Sequence, residues 1–409
     1  MSERPGGTSH HIPGHLAGSL PGRNGLEGLP HGSRPAPTQP APPAQIVRQA
    51  VDAARELVEP AIRETVEALP GVLRLAAGYH FGWWEADGTP VANPARGKGL
   101  RPALVLLAAQ AVGGLPADAV RPAVAIELVH NFSLIHDDVM DGDATRRHRP
   151  TVWKVFGVAQ AILVGDALLT LAYDVLGGLD GPGTPAGGWG AGAPTIPVQP
   201  DALAAEHGGS SRSRVAARMF GTAIGDLLHG QGDDLAFEHR DDVTVAECMA
   251  MARRKTGALL ECACGLGALL AGGSAEQVAR LRAYGADLGL AFQLTDDLLG
   301  IWGDTRVTGK PVHSDLRSRK RSLPVVAALT SGSPAAAALR QAYAHEEALD
   351  DADLARLADA VADAGGRDWC VARAKELIGR ALDRLHTEPP LARTLELAAF
   401  AAVLLHRDR

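Results

Sequence analysis

The stretch SLIHDDVMDGDATRRHRPT, Ser133 to Thr151, sets three carboxylates, Asp137, Asp138 and Asp141, at the end of an apolar run. Two adjacent arginines, Arg146 and Arg147, follow almost at once. Close carboxylates repel and raise one another's pKa unless a cation compensates. Ligation by oxygen alone, with no Cys and little His, suits a hard ion such as Mg²⁺, which keeps several waters and is completed by substrate phosphates. The arginines then serve as diphosphate ligands, because a guanidinium meets two phosphate oxygens at once. The plainer alternative is an acidic helix end, solvated and salt-bridged to Arg146 and Arg147. So short a pattern does not by itself choose between the two.

A second acidic group changes the weighing. GLAFQLTDDLLGIWGD carries Asp296 and Asp297 where its apolar pattern breaks, with Asp304 seven residues after Asp297 on the same helical face. Two acidic helix faces can enclose several metal ions. A cation set accompanies them. ARGKGLRPALVLLAA puts Lys98 and Arg101 just before Pro102, a residue suited to the first helical position, where the positive dipole end and flanking glycines make an anion site. RRKTGALL supplies Lys255 and Thr256, and TGKPVHSDLRSRK supplies Lys310 in a Gly/Pro loop. Each alone reads as a solvated basic residue; together they carry charge for two diphosphates.

These residues need elements to hold them. In AVAIELVHNFSLIHDDVMD a helical step of about 100° brings His130, Asp137 and Asp141 within about 40° of one another, with Asp138 at the margin. From AQIVRQAVDAARELVEPAIRETVEAL onward, apolar residues recur at three-to-four spacing in segment after segment, with few alternating runs. Aromatic residues make up only 4% of the chain, and Ala, Leu and Val dominate its apolar set, which suits packed helices. The expected fold is all-α, an antiparallel helix bundle over residues 45–409. Residues 1–44, rich in Gly, Pro, His and Ser, cannot bury enough surface to offset chain entropy and are expected to be a disordered tail. His10, His11 and His15 lack Cys or carboxylate partners and read as part of that tail, while its patch HLAGSLPG leaves room for docking on a protein partner. Gly177 to Arg214 is Gly/Pro-rich and flanked by helical patterns, so it is expected to be a low-complexity surface insertion.

Composition excludes several classes. The net charge of −7 and the lack of a Lys/Arg stripe give no footing for a nucleic-acid partner. The four cysteines, Cys248, Cys262, Cys264 and Cys370, lack zinc-type spacing and are expected to be reduced, buried thiols of a cytoplasmic protein. No uninterrupted apolar run reaches the roughly 18–20 residues of a membrane span, and no signal-peptide pattern opens the chain, so no membrane span is expected.

GKGLRP, HNFSLIHDDVMD followed by RRHRPT, GDALL, GQGDD, KTG, FQLTDDLLG and GKPVHSDL stand in order over most of residues 96–325. This series resembles the trans-isoprenyl (polyprenyl) diphosphate synthases, and among them the short-chain farnesyl and geranylgeranyl enzymes. The resemblance implies an isoprenoid synthase fold around a deep central cavity, usually a homodimer, and Mg²⁺-dependent condensation of isopentenyl diphosphate with an allylic diphosphate. It assigns Asp137, Asp138, Asp141 and Asp296 to metal. Arg146, Lys255 and Lys310 fall to the allylic diphosphate, and Lys98, Arg101, His130 and Arg147 to isopentenyl diphosphate. Thr256 and Gln293 would line the reacting carbons, and Asp297 would support the second metal site or Lys310. No nucleophilic Ser or Cys is required. Metal and cations stabilise the leaving diphosphate, an apolar cavity keeps water from the carbocation, and the loop around Lys310 serves as a lid.

The sequence departs from the family pattern at Gly300, where the second motif usually has a third Asp, and at Gly99, where the first basic motif often has Arg. The tail and the insertion are extras that the resemblance does not explain. Phe132 and Ser133 lie about one helical turn before Asp137, where in this family a bulky residue acts as a cavity floor. One aromatic beside a small residue favours geranylgeranyl diphosphate, with farnesyl diphosphate next; the plainer reading makes Phe132 ordinary core. Two further readings stand beside the synthase. One is a non-catalytic partner subunit or tail-docked component of a larger assembly, motivated by Gly300. The other is a class I terpene cyclase, opposed by the absence of a late Asn/Asp-x-x-Ser/Thr-x-x-x-Glu motif.

Overall fold

The computed structural model describes residues 42–92, 97, 99–177, 210–305, 311–344 and 349–404. All of them lie within one unit, Ala41–Arg409. Nearly all of the expected tail, most of the expected insertion, Lys98 and Lys310 fall outside the described residues.

The all-α expectation holds. Helices α1 (Pro43–Glu67), α2 (Gly71–Phe81), α3 (Leu100–Ala111) and α4 (Val120–Met140) lead to a hairpin of two-residue strands, β1 (Thr145–Arg146) and β2 (Arg149–Pro150). Then come α5 (Val152–Phe156), α6 (Val158–Gly177), α7 (Ser210–Phe237) and α8 (Val245–Ala252). A π-turn (Arg253–Gly257) joins α8 to α9 (Ala258–Leu270), and α10 (Ala275–Trp302) follows. The chain ends with α11 (Ser314–Arg317), α12 (Leu323–Leu329), α13 (Pro334–Ala344), α14 (Asp351–Asp363), α15 (Gly366–Leu385) and α16 (Leu395–Leu404).

Side-chain pattern explains the layering. In α1 the buried positions Val47, Val51, Ala54, Val58 and Ile62 recur at three-to-four spacing and form one stripe. In α3 Ala103 to Ala109 are all buried, so this helix is enclosed on every side. Two long helices carry the acidic motifs: α4 packs along α6 and α3, and α10 packs along α9 and α15. The helix α10 is started by Ser274, whose hydroxyl accepts from Gln277 N while the Gln277 side chain accepts from Ser274 N. Its close approach to the preceding segment needs small residues, since a Cβ on Gly289 would stand 2.7 Å from the Gly257 Cα. A second, smaller core of Ile301, Leu316, Val325, Leu339, Leu354 and Val361 gathers α11 to α14 under the end of α10.

Several boundaries differ from the sequence reading. The body starts at Pro43, and α3 starts at Leu100, two residues before Pro102, with Gly99 as its left-handed cap at φ 60°. Ser210 already begins α7, so the end of the expected insertion is helical. Asp304 is not on the acidic face of α10, because that helix closes at Trp302 with Gly303 as its cap. By length and composition α6 is apolar enough to cross a membrane, although it carries Asp166 and Asp174 and packs along α4. Those two acids interrupt its apolar run, so run length alone does not mark it.

Candidate active site

Both acidic clusters occupy the C-terminal ends of their helices, where the backbone dipole is negative and adds to the repulsion among carboxylates. In the last turn of α4, Asp138 is buried and its Oδ1 takes a hydrogen bond from Arg146 Nε at 2.8 Å and an ion-pair contact from Nη2 at 2.7 Å. Asp137 is half-buried, and its carboxyl is pushed up to about 6. Burial is the main cause; Lys255 and Arg146 pull the value down while Asp141 and Asp234 push it up. Such a carboxyl lacks positive charge, and a divalent cation would supply it.

The arginines are presented by a strained turn. In the hairpin Arg146 pairs with Arg149, leaving Arg147 and His148 as a two-residue loop with φ of 51° and 63°. Positive φ at both loop positions matches a type I′ turn, normally filled by Asn and Gly, and costs about 1–2 kcal/mol at each other residue. Packing holds it. Tyr79 donates its hydroxyl to Pro150 O at 2.9 Å, Arg149 lies 4.4 Å over the Tyr79 ring, and Arg149 Nη2 reaches Glu85 at 2.8 Å. Strain kept this way is characteristic of binding sites.

Behind the hairpin lies a cationic pocket. Arg101 Nη1 donates to His130 Nε2 at 3.0 Å, and since a guanidinium cannot accept, His130 is neutral with its proton on Nδ1. Burial, then Arg101, Arg147 and Arg146, hold that imidazole well below its ordinary range. His80 is pulled down to about 3 by burial and the same two hairpin arginines. It donates to Asn131, which donates to Glu127. Burial raises the Glu127 carboxyl, while Arg101, Arg147 and Arg55 draw it down. A cavity of about 70 Å³ is lined here by Arg55, Gly97, Gly99, Glu127, Asn131 and Arg147 among others. Gly97 lies close against the Arg147 guanidinium: a Cβ there would stand 2.9 Å from Nη2 and push it aside. Neutral imidazoles among arginines make this pocket ready for an anion.

The opposite wall starts from the π-turn, a feature often found at functional sites. It directs Lys255 to Asp234 of α7 at 2.6 Å, and Lys320 reaches the same oxygen at 3.3 Å. Thr256 donates to Gln293 at 2.5 Å, Gln293 to Asp297 at 2.6 Å, and Leu323 N to the other Asp297 oxygen at 2.9 Å. The buried Asp297 is thus turned into the protein in a supporting position. Its carboxyl is raised to about 7 by burial and then by Asp315, against Lys320. Burial opposes the charge of Lys320, yet Asp234, Asp315, Asp297 and Asp141 outweigh it and push its ammonium up. Lys320 thus feels the charge of both acidic clusters while its ammonium is held on Asp234. Asp296 is half-buried, and its charge acts on Arg101. One turn before Asp137, Phe132 is buried with its ring edge-on to His136 at 4.9 Å, and Ser133 donates to His130 O.

The donors around both clusters are carboxylate oxygens, which fit Mg²⁺. Among the described residues no three Asp, Glu, His or Cys side chains converge enough to cage an ion unaided. Sequence reasoning missed Asp233 and Asp234, which were quoted only within GQGDD, and Lys320, which closes the stretch quoted for Lys310. It also missed Arg55, whose Nη2 donates to Gly97 O at 3.1 Å from a helix forty-two positions away. Only the GQGDD acids carried a local signal.

Residues 91–361 match the family model described as polyprenyl synthetase. The (2E,6E)-farnesyl diphosphate synthase of Mycobacterium tuberculosis is 44% identical over 334 residues, 81% of this chain and 84% of that protein. The geranylgeranyl diphosphate synthase of the same organism is 42% identical over 366 residues, 90% of this chain and 95% of the relative. The solved polyprenyl synthetase from Streptomyces coelicolor superposes with a TM-score of 0.77 at 42% identity, covering 88% of this chain and 99% of that one. Relatives with different products stand at nearly equal distance, so overall likeness does not choose between them.

Proposed function

The chain belongs to the polyprenyl synthetase family, and we propose that it condenses isopentenyl diphosphate with an allylic diphosphate, Mg²⁺ bound, to a short-chain product. Geranylgeranyl diphosphate is favoured, farnesyl diphosphate next. The observation that carries this reading is one of placement. Lys255 and Lys320 meet on Asp234, where the acids of α4 and α10 act on them, and a separate pocket lined by Arg55 and Arg147, with the Arg101–His130 pair close by, opens behind the hairpin. Two diphosphates call for two such places, which favours neither the terpene-cyclase nor the non-catalytic reading.

When bound, Mg²⁺ would draw charge from the leaving diphosphate and ease cleavage of the allylic C–O bond. Asp137, Asp138 and Asp141 with Asp296 would hold it. Arg146, already fixed by Asp138, would grip the allylic diphosphate together with Lys255 and Lys310. Arg101, Arg147 and Lys98 would hold isopentenyl diphosphate, with the Nδ1–H of His130 as a neutral donor. Thr256 and Gln293 line the carbons that join, and Asp297 orients Gln293. The departing diphosphate takes the final proton.

The test is incubation with Mg²⁺, isopentenyl diphosphate and each of dimethylallyl, geranyl and farnesyl diphosphate, followed by chromatography of the dephosphorylated alcohols. Geranylgeraniol as the main alcohol is expected; absence of every prenyl alcohol from folded protein would reject the reading. Phe132→Ala should lengthen the products, because Phe132 lies five residues, about 7.5 Å along the helix axis, before Asp137. Unchanged products would return Phe132 to ordinary core.

A homodimer and a cytoplasmic setting belong to the same proposal. On α6, Val158, Ile162, Leu163 and Tyr173 are exposed, and Leu228 of α7 joins them, an apolar set suited to a second copy. All four cysteines are unpaired and buried, which agrees with a reducing compartment. In sedimentation velocity the wild type should run as a dimer and Leu163→Glu as a monomer. A wild type that stays monomeric at micromolar concentration would end this assignment.

A further inference from the structure

Gly300 lies in the last turn of α10, four residues after Asp296 and so on its face. The space a side chain would take there is occupied. A Cβ built on Gly300 would run into the carboxylate of Asp315, 2.6 Å from Oδ1. The place where the second motif lacks its third acid is therefore filled by an acid from a different element.

The chain pins Asp315 to this place in several ways. His313 takes φ 61° and its Nδ1 pairs with Ile301 O at 2.7 Å, while Ser314 Oγ donates to Gly300 O at 3.2 Å. Both contacts end on carbonyls of the final turn of α10. Leu316, the next residue, is fully buried in the small core with Ile301 and Val325, so α11 is seated by packing as well. Lys320 N donates to Asp315 O at 2.8 Å, which ties the backbone of the shared lysine to the same short helix.

We propose that Asp315 supplies the third carboxylate of the second cluster, replacing in space the side chain absent at Gly300, and that it acts with Asp296 toward the same divalent cation. This rests on the metal-dependent reading above. A carboxylate brought from α11 differs from one carried on α10: its position depends on α11 staying docked, so ion affinity at the second cluster is coupled to the seating of His313 and Ser314. A purely structural role for Asp315 would require only a partner for Lys320 and would not depend on what stands at position 300.

Mn²⁺ binding followed by electron paramagnetic resonance, with inorganic pyrophosphate present and full-length protein, separates these cases. Asp315→Asn should raise the Mn²⁺ concentration for half-saturation about tenfold or more, and the KM for Mg²⁺ in turnover with it. The double variant Asp315→Ala with Gly300→Asp should recover most of that affinity. Wild-type Mn²⁺ affinity in folded Asp315→Asn would overturn the proposal, as would a folded double variant that recovers nothing. If Asp315→Asn melts early without metal, the double variant decides on the same terms. Wild-type protein that takes up no Mn²⁺ beside pyrophosphate would instead reject the metal-dependent reading itself.

Discussion

Asp137→Ala should abolish most prenyl transfer while leaving the fold as stable as before or slightly more so. Removing one preorganised group that stabilises developing charge costs about a hundred- to a thousandfold in turnover. Stability should not follow, because the Asp137 carboxyl is held up near 6 by burial and by its acidic neighbours, and its loss relieves repulsion at the negative end of α4. Turnover at saturating Mg²⁺ and thermal melting of the same preparations give the two readings. Turnover that survives the change would remove Asp137 from the metal-holding set. A matching collapse in melting temperature would make it a structural acid.

Arg146→Ala should do the reverse in proportion: a large loss of stability together with lost activity. Asp138 is buried, with a side chain 2% exposed, and Arg146 donates Nε to its Oδ1 and holds Nη2 in ion-pair contact with the same oxygen. Breaking a buried ion pair from one side costs about 3–5 kcal/mol. Because Arg146 keeps 27% of its side chain exposed, the lower end is expected. Urea unfolding should show a lower midpoint with an unchanged slope. Asp138→Asn combined with Arg146→Ala should recover part of the loss, since the buried charge is gone. A shift under about 0.5 kcal/mol, within the range of surface substitutions, would place the pair among ordinary exposed ones.

What the sequence disclosed and what it withheld follow one physical division. Helical arithmetic works inside an element, so the grouping of Asp137 with His130 and the depth of Phe132 were readable from spacing alone. It fails where an element stops, as for Asp304, which lies past the cap at Gly303. The hairpin gave no turn signal because its loop is Arg-His rather than Asn-Gly, and only tertiary packing by Tyr79 and Arg149 makes those φ values tolerable. Lys255 was read as a phosphate ligand, but its partner Asp234 is twenty-one positions away on another helix. Asp315 was hidden for the same reason: the motif was searched along α10, whereas the carboxylate arrives from α11.

The π-turn at Arg253–Gly257 makes chain length itself a functional property of this segment. One residue fewer there would close the turn to ordinary α geometry and rotate everything before it by about 100° against α9. Lys255 could no longer face Asp234 while Thr256 faces Gln293. Side chains along these five positions can vary so long as those two contacts persist, but their number cannot. Among relatives, a one-residue gap here would mark a rearranged catalytic wall.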